Sequence, residues 1–268
     1  MEVHSHTHTA PATGGTGRKK WSHYFWEFLM LFLAVFCGFL AENQREHMVE
    51  HKREKQYAKE LYAEFYADSI AVSQKIKLRL DKEIDMDYLF NYFRDSSLSS
   101  LPREFYPAYT TVLYLVNTYS FEPKDGILNQ LKSSGSLRYF NNITLQKLFG
   151  DISVCINNIR FRNEQEYQFF ASPVKPFMLK HYDFNWMNQV RKRDENETAI
   201  NLINSYRKSD TSIPAGILNL PSFDRGEASN MIAFYKQMLV STRTLQMNDY
   251  IKTNSKLLQE LRKKYNLK

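Results

Sequence analysis

Apolar residues run almost without interruption from Tyr24 to Ala41, and no other stretch of the chain shows this pattern. The run is about as long as a helix needs to cross the hydrocarbon core of a bilayer, roughly 17–25 residues. Trp21 and Trp26 lie near its start, where aromatic side chains are typical of a membrane interface. Because no small-x-small cleavage site follows, the sequence predicts an uncleaved transmembrane anchor over residues 21–41.

After the anchor, the pattern becomes that of one long helix, because no Pro or Gly occurs between Glu42 and about Arg94. Its first turns, residues 42–56, interleave acids and bases and carry little apolar surface, which predicts a solvated helical stalk. From residue 57 onwards, apolar residues at helical spacing predict a buried face. This stripe consists of Tyr57, Leu61, Phe65, Val72, Ile76, Leu80 and Ile84.

Four further helices are predicted between breaks in the pattern. They run from about Pro107 to Asn117, from Pro123 to Gly135, from Asn142 to Phe170, and from Asp224 to Lys264. Asn142 and Asp224 are suitable N-caps, and Gly135 is a suitable C-terminal cap. The apolar stripe of the last helix comprises Met231, Phe234, Met238, Leu245, Tyr250, Leu257, Leu261 and Tyr265. Residues 173–223 contain several prolines, and we expect short helices and loops there.

These patterns predict an all-α protein, with a single N-terminal transmembrane helix that continues into an elongated helical bundle. We expect four parts in the chain. They are a disordered basic, histidine-containing tail (1–20), a transmembrane anchor (21–41), a helical stalk (42–56) and an α-helical extracytoplasmic domain (57–268).

The charge pattern bears on partners and on orientation. The formal net charge is +7, but most basic residues are interleaved with acids, so we expect no nucleic-acid partner. The expected partners are the lipid bilayer and a protein, either another protein or a second copy of this chain. Lysines and arginines nearly balance on the two flanks of the anchor. Because the basic cluster 18–20 lies closer to it, we expect a bacterial inner-membrane protein with a cytoplasmic N-terminus and a periplasmic C-terminal domain.

One short motif has the spacing of a catalytic metal site. His47, Glu50 and His51 match the H-x-x-E-H pattern, in which two histidines bind zinc and the glutamate activates water. The motif lies on the predicted stalk, close to the membrane, and no motif supplies a third ligand. We therefore predict no catalytic, cofactor-binding or metal-binding residues and no cofactor. A membrane-anchored zinc hydrolase that uses these three residues is the alternative.

Several segments resemble known families. The stalk sequences at 42–46 and 54–61 and the turn Leu131-Lys132-Ser133-Ser134-Gly135-Ser136-Leu137, followed by Asn141-Asn142, are similar to membrane-anchored helical families of unknown function typical of Bacteroidota. The resemblance implies a single-pass, mostly helical protein with its N-terminus inside, and it implies no activity, substrate or cofactor. The expected function is therefore a membrane-anchored scaffold or a sensor-like interaction protein.

Overall fold

The computed structural model describes residues 20–192 and 196–267. The tail predicted for residues 1–20 lies outside this range except for Lys20. The described residues form helices, turns and loops but no β-strand, which confirms the all-α prediction. The chain divides into two compact units, Met1–Arg53 and Glu54–Lys268, and each is treated by itself.

Nine α-helices lie within the described residues. They are α1 (Lys20–Asp95), α2 (Phe105–Tyr109), α3 (Gly126–Ser133), α4 (Ile143–Phe169), α5 (Lys175–His181), α6 (Phe184–Arg191), α7 (Ala199–Lys208), α8 (Arg225–Ser241) and α9 (Asn248–Tyr265). Three π-helical turns extend α2, α4 and α8, at Thr110–Tyr114, Phe170–Val174 and Thr242–Met247. Short 3₁₀ turns lie at Asn117–Tyr119, Ser136–Tyr139 and Leu220–Ser222.

In the first unit, the described part of α1 is exposed almost throughout. Between residues 21 and 41 only Leu29 is half-buried. The helix includes an 18-residue window with a mean hydropathy of 2.0, none of it buried. By length and composition it is therefore able to cross a membrane.

In the second unit, α1 presents one seam whose positions alternate by three and four residues. The seam consists of Glu54, Ala58, Leu61, Phe65, Asp68, Val72, Lys75, Arg79, Lys82, Met86, Leu89 and Phe93. All of these residues are buried except Lys75, which is half-buried. Such spacing keeps one helix face towards its neighbours over many turns, as in a coiled coil.

The seam passes through two hydrophobic cores. Core A contains Leu61, Phe65 and Val72 of α1, packed against residues of α3, α4 and α9. Core B contains Met86 and Phe93, packed against residues of α2, α5, α6, α7 and α8. Between the two cores, the seam positions of α1 are occupied by charged side chains.

The predicted stripe of α1 is therefore wrong at its end. Leu80 is 43% exposed and Ile84 is 68% exposed, whereas Arg79 and Lys82 have no exposed surface. The prediction selected positions by their apolar side chains. The buried face of the helix instead repeats every seven residues, so that position 79 lies on the same face as Phe65 and Val72.

The helix ends confirm several predictions. The Asn142 side chain accepts a hydrogen bond from the backbone N–H of Leu145 at 3.0 Å, and Asp224 accepts one from Glu227 at 2.9 Å. Gly135 follows α3 with φ +70°, a left-handed conformation that favours glycine.

Other boundaries differ from the predictions. The helix expected over 107–117 is divided into α2, a π turn and a 3₁₀ turn, and α3 begins at Gly126 rather than Pro123. Helix α4 ends at Phe169, one residue before the predicted end, but a π turn then carries the chain past Pro173 into α5. A wider turn accommodates the hydrogen bond that proline cannot donate.

The last predicted helix is interrupted by a π turn at Thr242–Met247, which separates α8 from α9. The extra residue of this turn rotates the buried face. Leu245, which was expected in the stripe, lies inside this turn and is 55% exposed, whereas Tyr250 beyond it is buried as predicted. Phe234 lies before the turn, on α8, and is also 55% exposed, because Tyr235 is on the buried face of that helix instead.

Candidate functional site

A group of buried polar side chains separates core A from core B, and we call it the buried polar layer. It consists of Arg79 and Lys82 on α1, Glu166 on α4 and Thr242 at the start of the third π turn. Each of the four is at most 2% exposed. Buried charge is costly unless it is paired and hydrogen-bonded, so the partners of these groups decide what the layer does.

Arg79 and Glu166 form a two-pronged ion pair. Nη1 of Arg79 lies 3.0 Å from Oε1 of Glu166, and Nη2 lies 2.8 Å from Oε2. The planar guanidinium matches a carboxylate in this geometry, which gives both strength and a fixed orientation. The pair therefore ties α1 to α4 at the level where both helices pass between the cores.

The remaining donors and acceptors of the pair are also engaged. Nε of Arg79 donates to the backbone oxygen of Tyr119 at 2.8 Å. The hydroxyl of Thr242 lies 2.7 Å from Oε1 of Glu166, to which it can donate, and 3.0 Å from the backbone oxygen of Met238. The segments around Tyr119 and Thr242, which are distant in sequence, thus converge on the Arg79–Glu166 pair.

The π turn provides the threonine of this arrangement. Thr242 is fully buried and contacts Glu166, whereas Thr244, two residues later, is exposed and bonds its own helix at Val240. Residues before the turn, such as Leu239, belong to core B, and Met247 at its end belongs to core A. The turn therefore lies at the transition between the two cores, on the level of the ion pair.

Lys82 lies in the same layer with fewer polar partners. Its Nζ donates to the Tyr235 hydroxyl at 3.1 Å and lies 4.4 Å from the centre of the Tyr119 ring. Burial lowers the pKa of Lys82 to about 7, against the attraction of Glu166. Aromatic faces attract a buried ammonium, but they replace only part of its hydration.

Asp85 lies one turn further along α1 and belongs to a second polar cluster. Its carboxylate oxygen is 2.8 Å from Nη2 of Arg207 on α7, and the same arginine pairs with Glu104 at 2.6 Å. Burial raises the pKa of Asp85, and Arg207 opposes that shift. This cluster links α1 to the helices of core B.

No protein-family model, curated protein or solved structure matches this chain. The resemblance to membrane-anchored families stays a prediction.

A lysine with a lowered pKa can act as a nucleophile, but only where a substrate can reach it. Three clefts on the second unit have volumes of about 580, 340 and 260 Å³, and neither Lys82 nor Arg79 lines any of them. The 340 Å³ cleft lies between the first two π turns and is lined by Tyr114 and Phe170 among others. The side chains of Lys82 and Arg79 have no exposed surface, and the Arg79–Glu166 pair joins α1 to α4, so the geometry of the layer favours a structural role in helix pairing.

The zinc candidates lie in the first unit, on α1. His47 and His51 are exposed, and Glu50 is half-buried. No group of three or more His, Cys, Asp or Glu side chains that could hold a metal ion occurs among residues 20–192 and 196–267. Within that part of the chain, the zinc hypothesis therefore lacks a third protein ligand.

The sequence reasoning missed all four residues of the buried polar layer. The signal for Arg79 was present, because Phe65, Val72, Arg79 and Met86 recur at steps of seven. Glu166 and Thr242 carried no comparable signal, since their burial depends on how α4 and the π turn pack against α1.

Proposed function

We propose that this protein is a single-pass membrane protein whose helical second unit acts as an interaction module, either a scaffold or a sensor-like element, with no catalytic activity. The observation that carries the proposal is the exposure of the apolar part of α1. Val35 is 73% exposed and Phe39 is 68% exposed, within a window of mean hydropathy 2.0. Exposure of a continuous apolar surface of this length to water is unfavourable, and the hydrocarbon core of a bilayer matches its length.

An interaction role for the second unit is supported by its buried charged side chains, which already contact partners within the unit. The guanidinium of Arg79 and the carboxylate of Glu166 have partners within the unit, and Lys82 is enclosed by aromatic rings. Open clefts on the same unit are lined mainly by tyrosine, serine and aliphatic side chains. Such surfaces suit recognition, since tyrosine offers contact area at low entropic cost.

For orientation, we propose a cytoplasmic N-terminus and a second unit outside the cytoplasm, in a bacterial inner membrane. The basic cluster 18–20 precedes the apolar segment directly, and the positive-inside rule weighs residues near the membrane.

Proximity labelling from the C-terminus of the full-length protein, performed in its host cells, tests the interaction role. We expect a reproducible set of enriched proteins that an anchor-only fusion, residues 1–53 with the same label, does not enrich. Identical labelling by the two fusions would contradict an interaction module in the second unit. The label also reports orientation, because enrichment restricted to cytoplasmic proteins would contradict the proposed topology.

A further inference from the structure

A groove of about 580 Å³ lies between α1 and α9 on the second unit. Its α1 wall is formed by Tyr62, Tyr66, Ser69 and Ser73, which are spaced by four, three and four residues. This spacing aligns the four side chains along one stripe of the helix, beside the seam that faces core A. The rings of Tyr62 and Tyr66 stack with their centres 6.0 Å apart.

The α9 wall repeats the same spacing. Ile251, Ser255, Leu258 and Arg262 are again separated by four, three and four residues. Ile251 and Leu258 supply aliphatic surface at a heptad interval, and Ser255 between them is small. Serines on both walls leave room for another backbone to approach closely.

The two walls run in opposite directions and are firmly connected. Tyr250 donates to Asp68 at 2.8 Å, and Nδ2 of Asn254 at the groove floor donates to the backbone oxygen of Phe65 at 2.9 Å. Further along, Arg262 donates to the hydroxyl of Tyr62. Residue numbers thus rise on one wall as they fall on the other.

This geometry is that of a site for a third helix. Eleven residues of helical rise make each wall about 16 Å long, or roughly three turns. Two antiparallel helices with side chains at heptad spacing form holes that accept the side chains of an additional helix. In helix-in-groove recognition, a partner helix places its apolar face into a groove of this kind.

The charged residues around the groove indicate the charge of a helix that could bind there. Arg262 is exposed and is the only charged residue of the lining, which contains no carboxylate. Exposed lysines stand one helical turn from lining residues on both walls: Lys59 near Tyr62, Lys77 near Ser73, and Lys256 and Lys263 near Gln259.

We propose that the groove between α1 and α9 is the docking site for an acidic amphipathic helix of a partner protein. The apolar side chains of that helix would pack on Ile251 and Leu258 between the tyrosines, and its carboxylates would face Arg262 and the flanking lysines. Electrostatic complementarity of this kind favours the acidic partner and disfavours basic ones. The inference rests on the proposed function, because it names the partner of the same interaction module.

Photocrosslinking from the full-length protein in the membranes of its host cells tests the proposal. A benzophenone amino acid replaces Tyr66, which is 49% exposed in the groove. The matched control replaces Tyr167, which is equally exposed but lies outside this groove. We expect a discrete protein adduct from position 66 only, with the crosslinked peptide mapping to an acidic amphipathic helix.

Charge reversal supplies the second readout. Lys256→Glu combined with Lys263→Glu should reduce the yield of that adduct about fivefold or more, because it places like charges opposite the acidic helix. Since both positions are exposed, the helical content of the variant should be unchanged by circular dichroism. Lys180→Glu with Lys208→Glu, a pair of exposed positions away from the groove, is the matched control and should leave the yield unchanged.

Four results would overturn the groove proposal: no adduct from position 66, an adduct with lipid, an adduct with a second copy of this chain, or an adduct insensitive to charge reversal. These results are separable from failure of the proposed function. If C-terminal proximity labelling still enriches specific proteins, the interaction module stands and only the groove assignment is lost.

Discussion

Two regions of α1 invert the usual relation between polarity and burial. Residues 21–40 are mostly apolar and exposed, whereas Arg79 and Lys82 are charged and fully buried. In the first region, the described residues of the same unit bury none of the 18-residue apolar window. In the second region, α4 and the turn after α8 supply ion-pair and hydrogen-bond partners.

The difference shows that each region depends on its surroundings in a different way. Burial of apolar surface is favourable in any apolar medium, so residues 21–40 need apolar cover but no particular partner atom. The buried charge of Arg79 needs specific atoms at specific distances, and Glu166 provides them at 2.8 and 3.0 Å. Charge should therefore be excluded from the uncharged part of the first region, residues 28–40. In the second region, removal of a single member of the buried ion pair should be costly.

The largest effect is expected from charge placed in the apolar region. Leu33→Arg combined with Phe36→Arg should release the protein from membranes, because each arginine at the centre of a spanning helix costs about 2.5–3.5 kcal/mol. The measurement is the fraction that resists alkaline carbonate extraction, which should fall from nearly all to a minority.

The matched control places the same charge on an apolar residue that is exposed without being part of the apolar run. Ile84 is 68% exposed on the second unit, and Ile84→Arg should leave extraction unchanged. Full membrane retention of the double arginine variant would contradict a spanning role for residues 21–40.

The second effect concerns the removal of one partner from the buried pair. Arg79→Met should lower the free energy of unfolding by about 3–5 kcal/mol, because Glu166 would stay buried without its cationic partner. Urea unfolding of the full-length protein in detergent, followed by circular dichroism, measures this change. Arg79→Met combined with Glu166→Leu should recover most of the loss, since both charges are then absent.

Lys236→Met is the control for the loss of an ion pair as such. Lys236 lies 2.5 Å from Asp87, but the two side chains are 30% and 59% exposed, and an exposed pair contributes about 0–1 kcal/mol. An Arg79→Met cost no larger than that of Lys236→Met would show that the buried polar layer does not hold α1 against α4.

The sequence predicted features that depend on neighbouring residues in the chain, and it missed features that depend on packing between helices. The apolar run and the N-caps at Asn142 and Asp224 are local features, and local patterns predicted them. The π turns at Phe170–Val174 and Thr242–Met247 were missed because they depend on packing between helices. Within the second of these turns, the predicted stripe residue Leu245 is exposed, whereas the stripe residues beyond the turn, such as Tyr250 and Leu257, are buried as predicted.

The buried polar layer shows where reasoning from side-chain type fails. Leu80 and Ile84 are apolar and were expected inside, yet the period of α1 turns them outwards and turns Arg79 inwards. The seam period was readable from Phe65 and Val72 alone. What the period cannot supply is the partner, because Glu166 is distant in sequence and meets Arg79 only in the folded unit.

The effect expected to be smallest over one pH unit involves Lys82. Its pKa is about 7 in the folded protein against 10.5 as the ordinary value, so between these pH values the unfolded chain binds a proton that the folded protein does not. Stability should therefore rise with pH across this window, by about 1.4 kcal/mol per pH unit, and should lose this dependence below pH 7. Lys82→Met removes the group and with it the slope.

Urea unfolding should show that Lys82→Met is more stable than the native protein at pH 7. The difference between their free energies of unfolding should become smaller at pH 8 and smaller again at pH 9. Neighbouring groups do not imitate this slope. Burial raises the pKa of Tyr119 and Tyr235 above the ordinary value of 10.0, so these groups lower stability as the pH rises near 10 and oppose the slope of Lys82. Lys77→Met, an exposed position on the same helix, should leave the slope intact. Parallel curves for Lys82→Met and the native protein would mean that the lysine reaches water, and that burial of charge in this layer is confined to the Arg79–Glu166 pair.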